Sequence, residues 1–379
     1  MKKILVIALS TFCLMFTAYG HAEITFQGFA SFVGGTTLDS KDDSYLGYIN
    51  KIEYDNDSLY ALQASSNLGD GLTVTGQIIA RGAENYQPEF EWMYASYNLT
   101  PTLNMKIGRV RTPFYMFSEY LEVGYTYQWI RPPVEVYAAA ITNMDGVSFL
   151  YNMPIGNIDS QYMITIGNRE DFSNDPTATV SDYKPLIAAN AEFEFGPYTT
   201  KLIYTQGDIS FNSPAIDGAT AALSTDTAFA KYATIKGSPV VFSGFAFIVD
   251  MSPIAVMFEF ASIDFEELIF VGDETRMLAA FTYSLNDENA VTYSWSSNEK
   301  ESETGLLAKL DGTNASIATH QFVVNGSLAA IDSEVTTHTL GYRHDFHDSA
   351  AAKIEFISTE DSKKDTEATL IRFGIDMLF

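Results

Sequence analysis

The sequence has little cysteine, few basic residues and no long apolar segment beyond its first residues. Cys13 is the single cysteine among 379 residues, which excludes a disulfide framework or a thiolate-rich metal site. Lysine and arginine total 22 against 48 acidic residues, a net charge of −26. A nucleic-acid partner is thereby excluded, because neutralising phosphates requires basic patches. Past residue 22, no stretch reaches the ~18–20 consecutive apolar residues of a membrane helix.

Motifs for catalysis or metal binding are also scarce. The chain lacks a Gly-x-Ser-x-Gly motif, a phosphate-binding loop and a convincing Ser/His/Asp spacing. His344 and His347 form an i, i+3 pair, but no matching ligand cluster occurs elsewhere, so we predict no metal site. Asp39, Asp42 and Asp43 could hold Ca²⁺ weakly between external loops and lipid head groups, although solvation alone explains them. We therefore expect no enzymatic activity and no cofactor.

The N-terminus has the pattern of a secretory signal peptide. Two lysines precede an apolar run that extends from Ile4 to about Phe16, and small residues precede a cleavage point after Ala22. The apolar run is too short to span a bilayer. We predict that residues 1–22 are removed with Cys13, which leaves a cysteine-free mature chain of residues 23–379.

What the sequence does contain is aromatic residues, on segments that alternate between apolar and polar positions. The 27 Phe and 22 Tyr exclude disorder. The C-terminal segment places five apolar residues on one face: Ile371, Phe373, Ile375, Met377 and Phe379. The same alternation occurs at 187–195, 277–283 and 291–295. One apolar and one wet face on segments of about ten residues indicate a barrel with lipid outside and water within.

The strand count and the connections give an independent test. Sixteen strand-like segments occur near 24–34, 58–67, 72–82, 89–98, 103–111, 141–151, 158–169, 184–195, 198–208, 240–250, 254–264, 274–285, 290–298, 335–345, 350–359 and 367–379. Short turns alternate with generally longer loops, among them 35–57, 112–140, 209–239 and 299–334. Outer-membrane barrels have short periplasmic turns and long external loops. The sequence therefore predicts an all-β protein: a transmembrane antiparallel barrel of 16 strands over residues 23–379.

Several segments resemble the general porin family of Gram-negative outer membranes. They are the turn at 67–72, the segment 106–114, the block 129–137 and the terminal Phe379 on its alternating strand. The resemblance implies a trimeric, water-filled channel in the outer membrane, in contact with its lipid and lipopolysaccharide. It also implies that a third loop, 112–140, folds inward to narrow the pore, and that Phe379 is the signal read by the barrel-assembly machinery.

Candidate pore residues follow from this third loop and from the alternation. The loop candidates are Tyr115, Glu119, Tyr120, Glu122, Arg131 and Glu135. The wall candidates are Arg81, Glu91, Lys106, Arg109, Arg111, Arg169, Arg276, Arg343 and Arg372. An acidic loop that faces a basic wall would create a transverse field that orients dipolar solutes. Glu119 and Glu122 could equally be solvated loop carboxylates.

Arg109 and Arg111 do not fit the alternation of their strand. Strict alternation from residues 103, 105 and 107 turns both arginines outward. Either Gly108 begins a bulge that re-aims them, or they lie near the outer rim or at a subunit interface.

These features predict a passive diffusion channel for small hydrophilic solutes and ions. The net negative charge favours a weak preference for cations. The alternatives are a substrate-selective porin, a receptor or adhesion barrel with a closed lumen, and an outer-membrane hydrolase.

Overall fold

The structure is a computed structural model that describes residues 23–38, 44–138, 141–170, 180–212, 236–265, 271–302 and 331–379. The predicted signal peptide and Asp39, Asp42 and Asp43 lie outside these ranges. No helix within them has the length and apolar character needed to cross a bilayer.

Sixteen antiparallel strands form one closed barrel, which confirms the predicted fold. The strands are β1 Ile24–Thr37, β2 Leu59–Gly69, β3 Leu72–Arg81, β4 Pro88–Thr100, β5 Leu103–Arg111, β6 Asn143–Asn152, β7 Asp159–Glu170, β8 Val180–Phe195, β9 Tyr198–Asn212, β10 Ser238–Met251, β11 Ile254–Asp264, β12 Asp273–Asn286, β13 Asn289–Glu301, β14 Ser333–His347, β15 Ala350–Asp361 and β16 Thr366–Leu378. Each strand pairs with its neighbours in the chain, and β1 pairs with β16. Closure leaves no sheet edge with unpaired backbone groups.

The two faces of the barrel differ as the alternation predicts. On β16, Phe373 and Ile375 are 37% and 40% exposed on the outer face, whereas Arg372 and Asp376 are buried inside. Large apolar side chains are likewise exposed on the other strands, for example Phe32, Leu62, Phe258, Leu340 and Ile354. An apolar outer surface around a closed barrel is the surface that lipid hydrocarbon covers.

Connections of two kinds alternate along the chain and define two rims. One rim, here called the turn rim, carries tight turns such as 70–71, 101–102, 196–197 and 252–253. Asp70 and Gly71 have φ of 50° and 82°, the left-handed conformation that such hairpins need. The opposite rim, here called the loop rim, carries the long connections, including 38–58, 112–142, 213–237 and 302–332.

The connection between β5 and β6, here called the third loop, lies inside the barrel. It contains two 3₁₀ turns, Ser118–Tyr120 and Gly124–Thr126, and one short helix, α1, at Val134–Tyr137. Its aromatic side chains form a cluster with the inner faces of β9 to β12: Tyr115, Phe117, Tyr127, Trp129 and Tyr137 pack with Ile203, Phe242, Met257 and Leu278. The inner wall is thus apolar where the third loop covers it, and the expectation of a uniformly wet inner face is wrong there.

Candidate pore constriction

Basic side chains of the inner wall hold the third loop in place. On β12, the Arg276 guanidinium donates from Nη1 to the Tyr115 hydroxyl at 2.9 Å and to the carbonyls of Val136 at 3.0 Å and Ala138 at 2.8 Å. Glu274 pairs with the opposite edge of the guanidinium at 2.5 Å. Arg276 therefore points inward as predicted, but it binds the loop instead of lining open water.

Lys353 on β15 makes the same kind of attachment. Its fully buried ammonium donates to the carbonyls of Gly124 at 2.6 Å and Trp129 at 2.7 Å, and it pairs with Asp376 at 2.8 Å. Gly124 is required at this point, because a Cβ there would lie 2.2 Å from Asp376 Oδ1. The close approach of loop and wall thus depends on a residue without a side chain.

Arg343 on β14 completes this set of cationic anchors. It donates to the carbonyls of Tyr125 at 2.8 Å and Tyr127 at 2.9 Å, and it pairs with Asp345 at 2.7 Å. Its guanidinium carbon lies 4.9 Å from the Tyr125 ring centroid. Arg276, Arg343 and Lys353 together satisfy loop carbonyls that would otherwise be buried without donors.

Two buried carboxylates also hold the third loop in place, because they accept hydrogen bonds from it or from the residues around it. Glu135 in α1 accepts hydrogen bonds from Tyr45 at 3.1 Å, Ser296 at 2.9 Å and Thr337 at 2.6 Å. Glu259 on β11 accepts the Met116 N–H at 2.8 Å and the Tyr137 hydroxyl. Buried carboxylates need such donors, so both residues are anchors.

These contacts show that two of the residues predicted to line the constriction are buried and do not line it. Glu135 is 4% exposed and Tyr115 is 2% exposed, and both are enclosed by groups from distant strands. By contrast, Tyr120 is 36% exposed, and Glu119 is exposed as well. The candidates drawn from the sequence did not include Glu259, although the alternation of β11 turns it inward.

A second charged group links the inner wall of β15 and β16 to the 38–58 connection and the third loop. Arg372 on β16 pairs with Glu355 at 2.8 Å and with Asp57 at 3.0 Å. Arg131 of the third loop donates to the Asp57 carbonyl at 2.7 Å. Burial disfavours the charged form of Asp57, but the nearby Arg372 and Arg131 outweigh that effect and hold its pKa below the usual value.

A chain of four alternating charges joins the third loop to the inner wall on strands β3 to β5. Glu122 of the third loop contacts Arg81 on β3 at 2.9 Å, and Arg81 contacts Glu91 on β4 at 2.5 Å. Glu91 in turn contacts Arg111 at the end of β5 at 2.5 Å. Glu91 is only 1% exposed. The acidic loop and the basic wall thus meet directly, and we call this row the charge chain.

Arg109 and Arg111 separate to opposite faces of the barrel. Arg111 is inside, whereas Arg109 lies on the outer face, where its Nε contacts Asp145 at 2.9 Å. The expectation that Arg109 forms part of the pore wall is therefore wrong. The pairing of β3 with β4 skips Glu91, a bulge that turns Glu91 inward to meet Arg111, while Gly108 adopts a φ of 133°.

Trp92 also lies inside the lumen, because it pairs with the inward-facing Gln77 and shares its face with Tyr94. Its indole N–H donates to Gln63 at 3.1 Å. Lys106 lies nearby, with its ammonium 5.2 Å from the Tyr94 ring centroid. Further toward the loop rim, Arg169 donates to Asn143 at 2.6 Å.

Cavities lie on both sides of the charge chain. A cavity of about 480 Å³ opens toward the turn rim and is lined by Gln63, Gln77, Trp92 and Glu119 among others. A second cavity of about 280 Å³ lies toward the loop rim and is lined by Glu122, Arg131 and Arg372 among others. We call them the turn-side and loop-side vestibules. Glu119 and Glu122 of one loop thus line opposite vestibules.

The C-terminal Phe379 lies at the seam of the barrel. Its N–H donates to the Gly28 carbonyl at 2.9 Å, and its carbonyl accepts from the Gly28 N–H at 2.7 Å. The Phe379 ring stacks on Tyr60 with centroids 5.5 Å apart. The side chain itself is 57% exposed on the outer surface.

Comparison with known proteins relates this architecture to outer-membrane channels of solved structure. No protein-family model and no curated protein sequence matches the chain. The outer membrane channel DcaP of Acinetobacter baumannii is similar, with a TM-score of 0.60 and 12% identity over 94% of this chain and 97% of that one. OmpF of Salmonella typhi gives a TM-score of 0.59 and 10% identity over 94% and 98% of the two chains. The anion-selective porin of Comamonas acidovorans gives 0.56 and 11% over 95% and 100%. Identities this low establish the shared barrel fold alone.

Proposed function

We propose that the protein is a passive outer-membrane channel for small hydrophilic solutes and ions, filtered by size and by the charge chain. The observation that carries this proposal is the third loop, which is fastened inside a closed barrel and meets the wall at the charge chain, with a vestibule on either side. The apolar outer surface and the shared fold with DcaP and OmpF support a location in a Gram-negative outer membrane. The mechanism needs no catalytic group, metal or cofactor.

The proposal extends to assembly and to ion preference. A homotrimer, embedded among outer-membrane lipid and lipopolysaccharide, is expected from the resemblance to general porins. A weak preference for cations is expected because the chain carries a net charge of −26, and a negative field at the pore mouths concentrates cations.

The alternative of a substrate-selective porin gains support from one feature of the lumen. Trp92, Tyr94, Lys106 and Arg111 converge beside the charge chain, a combination of aromatic and basic groups that suits a particular ligand better than it suits bulk ions. The receptor and hydrolase alternatives gain no comparable support from the described residues.

The first test is electrical recording of purified mature protein in a planar lipid bilayer. We expect stable ohmic conductance that closes in three equal steps, one step for each pore of a trimer. Single steps would contradict the trimer, and a bilayer that never conducts would falsify the channel itself.

A second prediction concerns the two loop carboxylates that border the vestibules. Changing Glu119 and Glu122 together to glutamine should shift the reversal potential in a salt gradient toward anions. Removal of Glu122 deprives Arg81 of a partner at 2.9 Å, and removal of Glu119 takes a negative charge from the turn-side vestibule. A matched control is Asp145→Asn, which neutralises a carboxylate on the outer face. Equal reversal potentials in the two variants would return Glu119 and Glu122 to the role of solvated loop carboxylates.

A further inference from the structure

A small recess opens beside the charge chain, between the third loop and strands β4 to β7. Its volume is about 120 Å³, and it is lined by Trp92, Tyr94, Lys106, Val110, Arg111, Glu119, Ser148 and Met163. Trp92 and Glu119 also line the turn-side vestibule, so the recess is a side pocket of that larger space.

Arg111 lines this recess and has an unused hydrogen-bonding edge. Its side chain is 8% exposed, and its Nη1 is held by Glu91 at 2.5 Å. The guanidinium carbon lies 5.0 Å from the ring centroid of Trp92. The Nε and Nη2 atoms are buried and have no hydrogen-bond partner among the described residues. Buried donors of this kind are costly to leave unsatisfied.

The geometry of this free edge selects the ligand. The Nε–H and Nη2–H bonds of a guanidinium are parallel, and they match the two oxygens of a carboxylate in a bidentate pair. Lys106 adds a second positive charge to the same recess, and the Ser148 hydroxyl, which accepts from Thr165 at 2.9 Å, retains its own proton to donate. A cationic ligand could use neither the guanidinium edge nor the Lys106 ammonium, because both groups donate hydrogen bonds and accept none.

The remaining lining of the recess is apolar, so a well-matched ligand also needs an apolar part. Val110 and Met163 are 4% and 6% exposed, and the rings of Trp92 and Tyr94 form further apolar surface. Inorganic phosphate could use the arginine edge but has no apolar part to place against these side chains.

We propose that this recess binds a small organic carboxylate, whose two oxygens pair with Arg111 and whose apolar group packs among Trp92, Tyr94, Val110 and Met163. Glu119 lies at the same recess and repels the ligand's charge, so it weakens the binding and favours release. The inference rests on the proposed channel, which gives the ligand its route, but binding itself does not require conduction.

Benzoate is a suitable probe, and isothermal titration of the mature protein in detergent measures its binding. We expect saturable binding of benzoate at one site per chain and none of benzylammonium, which has the same ring and the opposite charge. Arg111→Lys keeps a cation beside Glu91 but removes the fork, and it should weaken benzoate binding about ten-fold. Arg109→Lys on the outer face is the matched control and should bind as the wild type does. Retained heat-dependent gel mobility shows that each variant is folded.

Glu119→Gln provides a test that does not depend on damaging the site. Glu119 is exposed, so its replacement leaves the fold intact, and benzoate should bind about three-fold more tightly because a nearby like charge is removed.

Equal affinity of wild type and Arg111→Lys for benzoate, or no saturable binding, would overturn the proposal. Phosphate that competes as well as benzoate would overturn the carboxylate class and show a general anion site. A protein that conducts without binding refutes this inference alone, and one that binds without conducting refutes the channel alone.

Discussion

A protein with Lys353 replaced by methionine should conduct more current per pore than the wild type, with larger fluctuations. The Lys353 ammonium holds two loop carbonyls and Asp376 from a fully buried position. Methionine fills a similar volume but donates no hydrogen bond. Removing one partner of a buried ion pair costs ~3–5 kcal/mol, and here much of that cost falls on the attachment of the third loop. The measurement is single-channel conductance and current noise in planar bilayers.

The matched control for Lys353→Met is Lys364→Met. The Lys364 side chain is 44% exposed, and its ammonium lies 3.9 Å from Asp361, so its loss should cost at most about 1 kcal/mol. We expect its conductance trace to match the wild type. If Lys353→Met also had the conductance and the current noise of the wild type, Lys353 would not restrain the third loop.

Replacing Phe379 with alanine should reduce the amount of assembled barrel in the outer membrane about ten-fold or more. We expect this loss because the assembly machinery would no longer recognise the C-terminus. The folded protein should lose less stability than the truncation of a buried phenylalanine costs. Full truncation of a buried phenylalanine costs ~3–5 kcal/mol, and the Phe379 side chain is 57% exposed, so we expect about half of that value. The experiment compares membrane levels in cells with urea unfolding of the same variant after refolding in detergent.

The two measurements separate recognition from packing at the C-terminus. Tyr60→Ala is the control, because it removes the stacking partner of the Phe379 ring and keeps the terminal aromatic. We expect it to lose similar stability but to assemble normally. Parallel losses of assembly in both variants would show that packing at the seam, and not recognition of Phe379, limits assembly.

All sixteen strands could be predicted from the sequence because lipid and lumen impose opposite demands on alternate residues. The charge of Arg372 and the ring of Phe373 can each be accommodated on one face only, so the pattern of β16 is unambiguous. The prediction weakens where a residue interrupts the alternation. Glu91 and Trp92 are adjacent and both point inward because a bulge skips Glu91, and nothing in the local composition marks the position of that bulge. Arg109 was placed in the pore wall against the alternation of its strand, and the structure keeps that alternation, with Arg109 on the same outer face as Ile107.

The interior of the pore was harder to predict than the barrel. Glu135 and Tyr115 were expected to line the constriction, because they lie in the third loop, which the resemblance to general porins folds into the pore. Their actual partners, such as Thr337 and Arg276, lie on strands about 160 to 200 residues away in the chain. Alternation shows that a wall residue points inward, but it does not show whether the residue meets water or a folded loop.

The way the third loop is fastened has a consequence for how the interior of this barrel can change. Arg276, Arg343 and Lys353 bind mainly backbone carbonyls of the loop, and every residue type supplies a carbonyl. Side chains at exposed positions such as Glu119 can therefore be exchanged without unfastening the loop. The proposed permeability can therefore change, or be redesigned, by substitutions at exposed loop positions, while the contacts that hold the loop against the wall stay the same.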